Sequence, residues 1–334
     1  MTSSPDPALP TLAVVLDPSK LGEHLREPLA LPTKGLNRLQ VRVLRHHPGK
    51  RCVVEVTWRT MEGSRTVIGK VYAKDRSDVY RLMEELRRAG FGPNDQYTIP
   101  QPVAYLPTLH LLLQEKVDGR AATGPFLSSN AAERTAAAVL CARWLIKFHA
   151  TAPPIGPRFP LSDHLLTLEQ WFRRVAALGE PFAGKAGELF KGLEAAASVL
   201  PRGELRTIHG DYAHHQVVLA RGRAVAVDWD DYGRADPCHE VARFTVGLQR
   251  LAQRRRGSMR ALDGPAEVFV ETYVAAGLSD VRARLAFQRA AICLEHAKHD
   301  VHKRAPGWSE RAEATLDEGL RVLNPGVEVN SARA

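Results

Sequence analysis

The hydrophobic pattern of this chain changes character at residues 118–124, and few folds accommodate that change. Before it, residues 39–47, 51–59 and 65–74 alternate apolar with polar side chains, are rich in β-branched residues, and are separated by the turn signals Pro-Gly-Lys and Met-Glu-Gly-Ser. They predict an antiparallel meander. Residues 76–92 predict a helix, with apolar side chains at Val79, Leu82, Met83 and Leu86, Ser77 or Asp78 as cap and Gly90 as stop. Residues 100–106 and 109–117 return to strand character. Beyond the break the period is helical over 130–150, 164–178, 186–200, 237–254, 266–276, 280–304 and 309–323, interrupted by a hairpin around Arg221-Gly222-Arg223. The expected fold is α+β in two lobes. Residues 1–117 form a small antiparallel sheet with one helix, residues 118–334 a larger helical lobe, and residues 1–36 an additional arm or strand.

Composition narrows the function classes. The formal charge of +9 raises nucleic acid, an anionic membrane surface or a phosphorylated ligand as partners. Arg outnumbers Lys about threefold and is spread along the chain with no dense basic block, so a solvated basic surface is expected rather than a nucleic-acid site. Cys52, Cys141, Cys238 and Cys293 share no CxxC spacing, which points to a reducing, cytoplasmic setting. No basic segment precedes an apolar core at the N-terminus, and no window nears the 18 apolar residues of a membrane span. The chain reads as soluble, with no membrane partner.

Chemistry concentrates in residues 207–231, TIHGDYAHHQVVLARGRAVAVDWDD. Phosphoryl transfer requires a carboxylate to orient and deprotonate the acceptor hydroxyl, a second to hold Mg²⁺, and a further oxygen to complete the coordination. Asp211, Asp228 and Gln216 supply those groups at suitable spacing. Downstream, GRADPCHEVARF at 233–244 places Asp236 as cap and Pro237 in the first turn of a helix.

Taken together, His209-Gly210-Asp211, Val227-Asp228 and the Asp-Pro-x-x-Glu-Val-Ala segment resemble the aminoglycoside phosphotransferase and choline kinase-like family, over roughly residues 38–325. The resemblance implies a protein-kinase-like fold and a kinase that moves the γ-phosphate of ATP, or GTP, to a hydroxyl of a small molecule. It implies Asp211 as catalytic base, Asp228 and Gln216 as Mg²⁺ ligands, and His209 as a structural residue of the catalytic loop. Lys70, on the third strand, matches the phosphate-clamping lysine, with Glu84 or Glu85 as its ion-pair partner. The backbone around Gln114, Glu115 and Lys116 would meet the adenine edge, and Pro48-Gly49 would form the turn over the phosphates in place of a glycine-rich loop.

Gln216 departs from the Asn usual in the family, and maltokinase-like sugar kinases resemble this chain in carrying Gln there. A sugar or amino sugar is therefore the expected acceptor, with an aminoglycoside next. Asp231, Glu295, Asp300 and Trp308 are candidate acceptor groups, because an amine-bearing sugar requires carboxylates and an aromatic platform. The alternative reading is an inactive, nucleotide-binding pseudokinase with a regulatory role. GEPFAGKA at 179–186 mimics a Walker A loop, but it follows a helical pattern and ends in Ala, and it reads as a connection between helices. His209, His214 and His215 lack zinc-ligand spacing to any cysteine.

Overall fold

The computed structural model describes residues 6–29, 39–60, 63–201, 203–277 and 281–324. The chain divides into two compact units, Met1–Gly119 with Ala220–Val227, and Arg120–Leu219 with Asp228–Ala334. Residues 220–227 thus group with the first unit, whereas the sequence pattern assigned everything beyond 117 to the second.

The first unit opens with two short helices, α1 (Leu12–Leu16) and α2 (Pro18–Leu25). The Asp17 carboxylate accepts the backbone N–H groups of Ser19 and Lys20 at 3.0 and 3.2 Å, and Pro18 takes the first helical position. Leu12, Val15, Leu21 and Leu25 are buried in one cluster with Val54, Val56, Val71, Leu111 and Leu113. An arm or strand was expected here. The Asp-Pro cap and the three- and four-residue apolar spacings make residues 12–25 helical, and they join the core of the first unit.

Strands β1 (Gln40–His47), β2 (Arg51–Thr60) and β3 (Gly63–Tyr72) form the expected meander. Cys52, Val54, Val56 and Trp58 on β2 point to one buried face, as the period of two requires. Helix α3 (Ser77–Arg88) buries Val79, Leu82, Met83 and Leu86 and stops at Gly90, whose φ is +98°. After the two-residue β4 (Tyr97–Thr98), β5 (Pro102–Leu106) and β6 (Leu111–Glu115) complete a five-stranded antiparallel sheet in the order β1-β2-β3-β6-β5.

The second unit begins with β7 (Arg120–Ala121) and helices α4 (Thr123–Leu127), α5 (Ala131–Thr151), α6 (Leu161–Ala176) and α7 (Phe182–Ser198). The Walker-like residues 179–186 connect α6 to α7 and enter the latter, as expected. Strand β8 (Arg206–Ile208) leads into the polar segment, and β9 (Val217–Ala220) pairs with β7. Strand β10 (Arg223–Ala226) runs parallel to β4 within the first unit. Strand β11 (Gly233–Ala235) pairs antiparallel with β8. Helices α8 (Cys238–Arg256), α9 (Asp263–Val274), α10 (Arg282–Lys303) and α11 (Trp308–Leu323) finish the unit. Leu168, Leu189, Phe287, Leu294 and Leu316 bind α6, α7, α10 and α11 into one core. All four cysteines are free and buried, and no helix among the described residues is long and apolar enough to cross a membrane.

Candidate active site

Strand β8 runs directly into His209-Gly210-Asp211, and a short 3-10 turn, Trp229–Asp231, follows Asp228 and precedes β11. Because Ile208 pairs with Gly233, these two polar segments lie side by side. Where they meet, Gly210 has φ +87°, and a Cβ on it would stand 1.9 Å from the Asp231 carbonyl oxygen. Neither the dihedral nor the space admits a side chain. Gly210→Ala is expected to destabilise the protein by more than about 3 kcal/mol. A thermal melt checks this, and an alanine variant as stable as the parent would contradict the contact.

The loop rests on an aromatic floor. The His209 ring lies 4.6 Å from Trp229, and Trp229 packs on Phe148 and Trp144 at 5.3 and 5.9 Å. Tyr212 stacks on Trp144 at 5.2 Å and donates its hydroxyl to the Cys141 carbonyl at 2.8 Å. His209 is fully buried, and its Nδ1 accepts the Asp211 backbone N–H at 3.3 Å, in keeping with a residue that shapes the loop.

Asp211 is held at both carboxylate oxygens. Oδ1 accepts from Arg243 Nη1 and Oδ2 from Gln216 Nε2, each at 3.1 Å, while the side chain keeps 33% of its exposure. Each oxygen retains a lone pair for another donor. The buried Arg243, on α8, continues to Glu295 on α10, so a carboxylate–guanidinium–carboxylate chain runs from the surface inward. Burial alone would raise the Glu295 pKa, but the Arg243 guanidinium holds it well below the usual carboxylate range.

A second carboxylate braces the backbone of the same loop. Glu240, fully buried on α8, accepts the Gly210 N–H at 3.0 Å through Oε1, and its Oε2 meets His149 Nε2 at 2.9 Å. The other nitrogen of that ring lies 2.7 Å from the Tyr273 hydroxyl. Burial opposes ionisation of Glu240, yet His149 and His209 together hold its pKa below the ordinary value. Asp236 caps α8 by accepting the Cys238 N–H at 2.9 Å and pairs with Arg284 at 2.7 Å. The sequence motif pointed to this helix start, but it attached no role to Glu240, Arg243 or His149.

Gln216 is buried, and its amide nitrogen is used on Asp211, which turns its oxygen the other way. Its amide oxygen and the Asp228 carboxylate are both oxygen donors, the kind that suits Mg²⁺. Asp228 itself has φ +70°, rare for a residue with a side chain. Among the described residues no group of three or more His, Cys, Asp or Glu is arranged to hold a metal ion. His214 is buried with Nδ1 2.8 Å from the Thr123 hydroxyl, and His215 is exposed.

In the first unit, Lys70 is buried on β3, opposite Val53 and Leu112. Glu84 faces Arg87 and Arg88 at 2.9 and 3.4 Å, and Glu85 bonds Arg88. Of the two, Glu84 is the more buried, at 15% against 45% exposure. The Pro48-Gly49 turn connects β1 to β2, with Gly49 at φ +74°. Its Gly49 N–H, one of the donors expected to be open to phosphate, is taken at 3.0 Å by the Asp6 carboxylate, which also meets His46 Nε2 at 2.9 Å. Gln114 is buried on β6. The Glu115 N–H donates to the Gln101 carbonyl, its carboxylate accepts from Arg223 at 2.9 Å, and Lys116 pairs with Glu55 at 2.8 Å. The side chains of Glu115 and Lys116 are thus engaged in ion pairs.

The acceptor candidates are mostly engaged within the second unit. Glu295 is bonded to Arg243 and buried, and Asp300 takes both oxygens to Arg250 at 2.9 and 2.8 Å. Trp308 stacks on Phe182 at 5.7 Å, packed against the helical core. Each of the three meets an opposite charge or apolar neighbour that lies far from it in sequence. Asp231 stays exposed beside the Gly210 contact.

Residues 55–287 match the profile of the phosphotransferase enzyme family. No match was found among curated protein sequences. Among solved structures, the choline/ethanolamine kinase family protein from Mesorhizobium loti superposes with a TM-score of 0.61 at 15% identity, covering 92% of this chain and 99% of that one. A putative aminoglycoside phosphotransferase from Ralstonia eutropha gives 0.61 at 16% identity, covering 93% and 99%. A thermostable mutant of the aminoglycoside phosphotransferase APH(4)-Ia, in ternary complex with ADP and hygromycin B, gives 0.60 at 13% identity, covering 92% and 99%. Their fold is shared by this chain, as the α+β, kinase-like expectation required.

Proposed function

The chain belongs to the phosphotransferase enzyme family and is a small-molecule phosphotransferase acting on hydroxyl groups; from that premise we propose that it moves the γ-phosphate of ATP, or GTP, to a hydroxyl of a compound of the sugar class. The observation that carries the reading is the doubly held carboxylate of Asp211, partly exposed at the end of a rigid loop beside the Gln216 amide. An acceptor hydroxyl reaching Asp211 would donate its hydrogen bond to a remaining lone pair. Its oxygen would form the new bond to phosphorus as the bond to the leaving diphosphate breaks, and its proton would pass to the carboxylate. Catalysis of this kind is mainly positioning and charge neutralisation.

Asp228 and the Gln216 amide oxygen would hold Mg²⁺, which when bound neutralises phosphate charge. Gln216 would then do two things at once, donating to Asp211 and presenting its oxygen to the metal. Lys70, buried on a strand and therefore aimed, is the proposed phosphate clamp, with the better buried Glu84 as its partner. The Pro48-Gly49 turn would cover the phosphates. The backbone at Gln114, Glu115 and Lys116 would meet the base. A structural neighbour solved with ADP supports a nucleotide as co-substrate.

The test is Mg²⁺-dependent ADP formation from ATP against a panel of sugars, amino sugars, aminoglycosides and amino alcohols. Acceptor-stimulated turnover by the native chain, absent in Asp211→Asn, is expected. Equal turnover in both would remove Asp211 from the chemistry.

A further inference from the structure

Resting on the phosphotransferase reading, we infer that Arg243, anchored by Glu295, is a positioning residue that fixes the direction of the Asp211 carboxylate. Asp211 lies on the loop between β8 and β9, and the terminal torsion of an aspartate is broad, so no rotamer preference aims its oxygens. Two donors aim them instead. Gln216, which holds Oδ2 at 3.1 Å, belongs to the same loop and moves with it. Arg243 reaches Oδ1 at 3.1 Å from α8, 32 residues further along the chain. Without that bond the carboxylate is free to turn about the Gln216 contact.

The contact does more than compensate charge. A buried guanidinium needs a counter-ion, and Glu295 already supplies one at Nη2. Burial opposes the Arg243 charge, yet Glu295, ahead of Asp211, holds its pKa above the ordinary value. The Nη1 end is left to hold Asp211, and the planar fork fixes the two ends relative to each other. The anchor is stiff. Arg243 stands between the fully buried Ala242 and Phe244, and Glu295 follows the fully buried Cys293 and Leu294. Ala242 and Val246 of α8 pack with Ile292 and Cys293 of α10 in one cluster. The Arg243 and Glu295 side chains keep 9% and 10% of their exposure, against 33% for Asp211, so the pair is held by the interior while the carboxylate it aims is open to a ligand. The position of Oδ1 is therefore set by the packing of α8 on α10. Such placement matters kinetically, because an error of the order of 1 Å at a reacting group costs about 10²-fold in rate.

The experiment measures kcat and KM of the full chain with Mg²⁺, ATP and the best acceptor among glucose, glucosamine, kanamycin and choline, beside a thermal melt of each variant. Native turnover that disappears in Asp211→Asn reports on the phosphotransferase reading, and its absence overturns that reading and the inference together. Arg243→Lys keeps a positive charge between the two carboxylates but lacks the fork. Arg243→Met combined with Glu295→Leu replaces the buried ion pair by apolar side chains of similar volume, a change that is often neutral for stability. Both variants are expected to fold, and to lower kcat by about 10–100-fold while KM for ATP stays within about threefold of native. A purely structural pair predicts the reverse, since the apolar variant would then recover kcat along with its melting temperature. Native-like kcat in either folded variant, or a loss confined to KM, overturns the inference alone. If the double variant fails to fold, the kinetics of Arg243→Lys decide by the same two parameters.

Discussion

Asp211→Asn is expected to lower kcat by about 10²–10⁴-fold, or roughly 2.7–5.5 kcal/mol in the barrier, while KM for the nucleotide changes little. The substitution removes the base but preserves shape, and its cost to the fold is bounded by the contacts. The carboxylate accepts from two donors, Arg243 Nη1 and Gln216 Nε2, whereas an amide has one oxygen and must turn its NH₂ towards one of them. Because the site is one-third exposed and Arg243 keeps Glu295, the stability loss is expected to stay within about 1–2 kcal/mol. Steady-state kinetics beside a thermal melt separates the two effects. A variant retaining more than about a tenth of the native kcat would refute the base assignment.

Glu240→Ala should produce the larger structural effect. The carboxylate is fully buried, braces Gly210 N–H and pairs with His149, so its removal strands a backbone donor and a ring nitrogen in the interior. Breaking such a pair is worth about 3–5 kcal/mol, and the loop carrying Asp211 loses its brace at the same time. A reduced kcat, together with a lower melting temperature, is the expected result. The difference depends on pH in a definite direction. The folded carboxyl titrates below its ordinary value of 4.5, so its contribution is complete above that pH and fades as the pH falls through the folded value. The gap in melting temperature between native and variant should therefore narrow in acid. A gap that stays constant or widens there would show that Glu240 is not ionised in the native state.

Much of this protein was legible in its residues. Period two with short turns in residues 39–74, and period 3.6 after residue 124, determine strands and helices locally, since side-chain alternation needs no distant partner to be recognised. The elements accordingly lie within a few residues of where the pattern put them. His209, Asp211, Gln216 and Asp228 could be put forward as a site for a similar reason, because they lie within 20 residues of one another on one hairpin-like segment. In residues 12–25 the helical, core-forming role became clear only from the burial of Leu12, Val15, Leu21 and Leu25. Tertiary structure alone decided the partners. Arg243 is 32 residues from Asp211 and 52 from Glu295, and His149 is 91 from Glu240. Nothing local marks such pairs, because ion pairing depends on which helices pack together. For the same reason a glutamate or aspartate that reads as a ligand for an amine in sequence becomes, in the folded chain, the counter-ion of an arginine.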